Sequence, residues 1–227
     1  MAEEQYRTRS LRSLVILFSP LEHKIHIFSL PCNILYLFHL WNIAKIRMYL
    51  TFESTKTLVH AYVTCRLDNC NSLLLGSPKY MIQKFQRVQN CAARLVAGQP
   101  RAAHIRPVLK ELHLLAVEQR ITFKLLLLTF KALNNLVPPY LSQLIVPYNP
   151  TRNRRSAAKH LLEVPNVRLK SYGDRAFSVA APKHWNEIPL DIKLSRSVDV
   201  FKSRLKTYLF RLAFNWFFVL VLLLVRY

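Results

Sequence analysis

The side chains that could do chemistry in this sequence are its carboxylates, imidazoles and thiols, and their spacing decides what they could do. Phosphoryl transfer needs clustered carboxylates that hold two metal ions. The 12 Asp and Glu are scattered instead: Asp68, Asp174, Asp191 and Asp199 stand well apart, and no adjacent Asp-Asp pair occurs. Glu111 with His113, and His184 with Glu187, are the nearest acid–imidazole pairs, but general acid–base work needs a positioned partner, and neighbours of this kind arise often by chance. Neither a G-x-S-x-G elbow nor an H-E-x-x-H helix is present. With only Gly76, Gly98 and Gly173, no glycine-rich phosphate loop can be built. Cys32, Cys65, Cys70 and Cys91 match no zinc spacing and read as reduced intracellular thiols. No cofactor or metal is expected, no small-molecule substrate is evident, and the sequence argues against catalysis within the chain.

What remains is cationic surface. Against those 12 acids stand 33 Lys and Arg, a formal charge of +21, the balance expected of a chain that meets nucleic acid or an anionic membrane. Three clusters are candidates for phosphate contact: Lys84, Arg87 and Arg94; Arg152, Arg154 and Arg155; and Lys202, Arg204 and Lys206. Cations on a phosphate backbone release counterions, so such binding weakens steeply with salt and carries no sequence information. Tyr148 and His160 flank the middle cluster, where rings can stack on bases or simply pack locally. For each cluster the competing reading is a solvated face.

Stepping outward, helices must carry most of these residues. Thr51 can cap a helix with Glu53 in its first turn and an apolar stripe of Leu58, Ala61, Tyr62 and Cys65. A second has Ser77 at the N-cap, Pro78 at the first helical position and Gly98 just past its end. Its apolar face is Met81, Ile82, Phe85, Val88, Ala92, Leu95 and Val96, with Lys84, Arg87 and Arg94 on another. A third piece lies near 105–115, with Pro107 in its first turn. The stretch 117–133 is apolar enough to be the central core helix, with Lys124 and Lys131 along one exposed edge, and "VPPY" at 137–140 ends it.

From 148 to 169 the chain turns polar and basic without a helical period, predicting a basic loop, a short hairpin or an extended arm. Asp174 can start a short helix packed through Phe177, Val179 and Trp185. A last helix begins at Ser197 or Asp199, with Val198, Phe201, Leu205, Tyr208, Leu209 and Leu212 inward and Lys202, Arg204, Lys206 and Arg211 outward.

The two ends differ from the rest. Arg7, Arg9 and Arg12 precede the apolar run 14–18, but Ser19-Pro20 cuts it short for a signal peptide and no cleavage site follows closely, so secretion is not expected. The run 213–225 is almost uniformly apolar yet shorter than the roughly 20 residues that span a bilayer. Extended back to Tyr208 it includes Arg211, which can snorkel, so 208–225 is a candidate tail anchor, buried core, or an out-of-frame extension.

Four stretches carry a family likeness: "FHLWNIAKIRMYLTFESTKTLVHAYVTCRLDNCNSLLLGSPKYMIQKFQRVQNCAARLV", then "HIRPVLKELHLLAVEQRITFKLLLLTFKAL", "YGDRAFSVAAPKHWNEIPLDI" and "SVDVFKSRLKTYLF". In this order they resemble the C-terminal region of LINE-type, non-LTR retrotransposon reverse transcriptases, closest to the chicken-repeat and Rex-like lineages, over residues 38–214. The resemblance implies a helical thumb and the segment beyond it, which grip a template–primer duplex. In that family the polymerising residues, a Tyr-x-Asp-Asp motif and an upstream aspartate, precede this region, so no active-site residue carries over. Departures are Asn69, where the family has an aromatic, and "HLLAVEQR" at 113–120, where it has a Trp-Leu-Pro-like step.

The expectation is therefore a mainly α chain: an unassigned segment 1–37, a helical thumb-like region 38–146, a post-thumb region 147–214 with its basic loop or short hairpin and C-terminal helical extension, and an apolar tail 215–227. Segments 1–37 and 215–227 do not fit the family and are expected to derive from unrelated or shifted reading frame. The expected partner is RNA or DNA, bound without sequence preference, with membrane association through 208–225 as the alternative. The expected location is nuclear or cytoplasmic for a soluble chain, and a membrane if the tail inserts.

Overall fold

The computed structural model describes residues 31–149, 159–168 and 173–214, with side chains from residue 35 onward. The chain is mainly α, as the sequence predicts, and no β-strand forms among the described residues. In chain order the helices are α1 (Pro31–Ile46), α2 (Phe52–Val59), α3 (Cys65–Asp68), α4 (Lys79–Ala97), α5 (Ile105–Glu111), α6 (Val117–Leu133), α7 (Pro139–Ser142), α8 (Phe177–Glu187), α9 (Leu190–Lys193) and α10 (Val198–Phe214).

Helix α6 is the shared spine. Its first half puts Val117 and Ile121 into a core with Tyr36 and Leu40 of α1, Val59 of α2, and Phe85, Val88 and Val96 of α4. Its second half puts Leu125, Leu126 and Phe130 into another core with Trp185 of α8 and Phe201, Leu205 and Leu209 of α10. Partners on opposite sides explain why this helix is apolar nearly all round. The second core is closed by rings: Phe130 and Phe201 stack at 4.2 Å between centroids, and Trp185 lies 6.0 Å from Phe201.

Local signals account for most ends. Thr51 accepts from the Ser54 N–H as the cap of α2, and Ser197 accepts from the Val200 N–H ahead of α10. Gly98 closes α4 in the left-handed region (φ 66°), and the Gln99 N–H returns to the Arg94 carbonyl. At the other end of α4, Pro78 takes the cap position, so the helix starts one residue later than the sequence suggests, and no side-chain cap bond forms there among the described residues. Helix α6 stops before its prolines: Asn135 turns left-handed (φ 55°) and the Leu136 N–H bonds the Lys131 carbonyl. Asp174 does not start α8, which begins at Phe177. It pairs instead with Lys183 at 2.8 Å.

The predicted stripe of α2 needs correction. Thr55, Val59 and Val63 are the buried face, whereas Ala61, Tyr62 and Cys65 are exposed. A π-helical turn over His60–Thr64 links α2 to α3, with the Cys65 N–H bonding the His60 carbonyl five residues back. The extra residue breaks the regular period, and Tyr62 turns outward to stack on His39 (5.2 Å between centroids).

The expected hairpin reduces to one antiparallel bridge between Pro147 and Leu162, beside the bonds Tyr148 N–H to Leu161 O and Glu163 N–H to Val146 O. Asn186 clamps this neck by accepting from the Leu162 N–H and donating to the Leu162 carbonyl, both at 2.9 Å, while the Trp185 indole donates to the His160 carbonyl at 3.0 Å. The "HWNE" run thus ties the basic loop to α8.

Two titratable groups are shifted by this packing. Burial, then the neighbouring Arg66 guanidinium at 3.1 Å from Nε2, lowers the pKa of His39. The pKa of Lys193, buried at 8% exposure, is lowered by desolvation and secondarily by Lys159, and its ammonium donates to the Lys159 carbonyl at 3.4 Å.

Candidate nucleic-acid interface

The seam between the two cores opens as a cleft of about 470 Å³. Its cations arrive from separate elements: Lys56 from α2, Arg120 and Lys124 from α6, and Lys206 from α10, with His60 of the π turn and His113 of the link between α5 and α6. Asp68 is its single carboxylate among the described residues, and Arg120 neutralises it at 2.7 Å while also donating to the Leu115 carbonyl. Cations therefore dominate the opening. Its walls are apolar, with Val59, Val96, Leu115, Phe123 and Leu127.

The segment 68–74 contributes Asp68 and Asn71 to the cleft lining. Cys70 adopts the left-handed region (φ 56°), a conformation costly for a non-glycine residue, and turns the chain into a short 3-10 helix, Asn71–Leu74. That places Asn71 in the cleft at 3% exposure, its amide directed to Asp68 Oδ1 at 3.5 Å. Its side-chain oxygen Oδ1 has no hydrogen-bond partner among the described residues. His113, at the rim, is also left-handed (φ 51°) and leans on Phe210.

The candidates named from sequence fall into distinct groups. Lys206 is exposed and faces the cleft. Lys84 lies 5.7 Å from the Tyr80 ring, and Arg87 is exposed on the outer side of α4. Arg94 shares their helix but is engaged internally, donating twice to the Ala103 carbonyl at 3.1 and 3.4 Å. Lys202 pairs with Asp199 at 3.0 Å, and Arg204 donates to the Asp191 carbonyl at 2.7 Å. Helical spacing sets Arg204 on a different side from Lys202 and Lys206, so the three do not share one face. Arg152, Arg154 and Arg155, like the tail 215–227, lie outside the described residues. Tyr148 and His160 stand at the neck of that loop.

Lys56, His60 and Lys124 belong to no candidate site read from the sequence, and His113 was weighed there only as the partner of Glu111. Lys124 was legible as an exposed edge of α6, but only tertiary packing brings it beside Lys56 and Lys206. Neither acid–imidazole pair forms a tight dyad: His184 and Glu187 are 3.9 Å apart, and Glu111 is exposed. Among the described residues no group of three or more His, Cys, Asp or Glu could hold a metal ion, and no helix is long and apolar enough to cross a membrane.

Compared with protein-family models, curated proteins and solved structures, the chain finds no match.

Proposed function

We propose that this chain is a non-catalytic helical fragment of non-LTR retrotransposon reverse-transcriptase descent that holds nucleic acid by its phosphates, without sequence preference. The observation that carries the binding reading is the convergence of Lys56, Lys124 and Lys206 on one opening whose single carboxylate among the described residues is already paired. Lysines on three helices, drawn together by folding, concentrate positive potential where a polyanion can dock.

The descent is supported by how the resembling stretches use one another. "RLDNCNSLL" meets "VEQR" through Asp68 and Arg120. "QRVQ" meets "HLLAV" through Gln86, which accepts from the Val117 N–H at 2.9 Å, and Gln89, which donates to the Leu115 carbonyl at 2.7 Å. Residues of the first resembling stretch thus hold the 113–120 segment, the part of the second stretch that departs from the family pattern.

The test is titration of the purified chain with duplex DNA and an RNA–DNA hybrid at two salt concentrations. Each neutralised phosphate contributes about −0.9 to the slope of log affinity against log salt on B-DNA. Three engaged lysines therefore give a slope near −3, by about −0.9 each. Absent binding at low salt, or affinity indifferent to salt, overturns the reading.

A further inference from the structure

The cleft contains more than a phosphate needs. A flat cationic patch suffices for a backbone, yet here the lysines ring a pocket with apolar walls and the buried, polar Asn71 in its lining. Its volume of about 470 Å³ falls in the roughly 300–1,000 Å³ range of small-ligand sites.

From this arrangement we infer that the cleft is a pocket for a single nucleotide unit, its phosphates at Lys56, Lys124 and Lys206 and its base inserted along Phe123 towards Asn71. The inference rests on the nucleic-acid reading above and narrows it to one subsite. Three features select this chemistry. The rim attracts an anion. The half-buried Phe123 ring and the aliphatic walls suit a flat apolar body, and stacking on an aromatic tolerates every base. The Asn71 side-chain oxygen, buried beside the cleft and without a hydrogen-bond partner among the described residues, is an acceptor in want of an N–H, which every base offers on its pairing edge. A fatty-acid anion would satisfy rim and walls, but its tail would end against the Asp68–Arg120 pair and Asn71, polar groups that lose by contact with hydrocarbon. The nucleotide can be free or the end of a strand, since both present the same base and phosphate.

Calorimetric titration of the full chain with a nucleoside triphosphate, tripolyphosphate, a phosphate-free nucleoside and oleate tests this. The triphosphate is expected to bind at least about tenfold more tightly than tripolyphosphate, the order that stacking one base supplies. Lys124→Gln and Lys206→Gln should each weaken it severalfold with unchanged melting curves, and Phe123→Leu should erase the advantage over tripolyphosphate. A linear oligonucleotide that displaces the nucleotide where a circular single strand does not identifies the strand end as ligand. Displacement by neither identifies the free nucleotide.

Equal affinity for tripolyphosphate, tighter binding of oleate, or indifference to both lysine variants overturns the pocket. Salt-dependent hybrid binding with no nucleotide binding overturns the pocket alone. Loss of both overturns the nucleic-acid reading as well.

Discussion

Asp68 and Arg120, 52 positions apart, meet at 2.7 Å and join the end of α3 to the first turn of α6. Arg120 is the more buried partner, at 15% side-chain exposure against 42% for Asp68, and it also holds the Leu115 carbonyl. The two residues should therefore be unequal when removed. Arg120→Met takes the close cationic donor from the Asp68 carboxylate and one of two donors from the Leu115 carbonyl, which keeps Gln89, and should cost about 1–3 kcal/mol. Asp68→Asn removes a half-exposed charge, worth about 1 kcal/mol or less. Urea melts of both variants check this, and equal losses would contradict it.

The basic residues should separate into those that hold the fold and those that hold a ligand. Arg94→Gln removes both bonds to the Ala103 carbonyl and should lower stability by about 0.5–1.5 kcal/mol while leaving the salt slope of nucleic-acid binding unchanged. Lys206→Gln should do the reverse, keeping the melt and reducing the slope by about 0.9. Paired melts and salt titrations decide, and a changed slope in the Arg94 variant would place that residue on the ligand.

Lys193 holds a charge at 8% exposure and donates to the backbone carbonyl of Lys159. Desolvation of that kind opposes folding. Lys193→Met keeps the aliphatic stem without the charge and should raise stability by about 0.5–2 kcal/mol. A loss in thermal or urea melts would show that the ammonium has a stabilising role.

His39 accepts from Arg66 and stacks on Tyr62, so its neutral form is the one the fold favours. Burial and Arg66 lower its folded pKa. Stability from this site is present above the unfolded value of about 6.5 and is lost as pH falls through the lower folded value. Melting temperature should therefore fall on acidification, and His39→Gln should fall less over the same window. An identical pH profile in the variant would remove His39 as a source.

Much of the helical frame was legible because its punctuation is local. Gly98 can end a helix on its own conformational terms, and the apolar face of α4 follows from the 3.6-residue period, with Phe85, Val88, Ala92 and Val96 all buried. The same period failed on α2, because nothing in "HAYVT" announces the π turn that rotates Tyr62 outward. Asn135 was overlooked as a stop because the prolines after it are the louder signal. The cleft was legible only in pieces. Lys206 showed as a cation and Asp68 as an isolated acid, but Asn71 becomes buried through the left-handed turn at Cys70, and its neighbours are set by how α6 lies between two cores.

That position of α6 also governs how the molecule comes apart. A helix that supplies Val117 and Ile121 to one core and Leu125, Leu126 and Phe130 to the other gives neither core a boundary at which to detach. Opening either half strips contacts from a helix the other half needs, so the two should melt in one step and the amides around Leu125 and Leu126 should exchange with solvent only on global unfolding. The cleft inherits this rigidity: its cationic rim spans both halves, and their spacing is maintained by the same helix whose loss would unfold them.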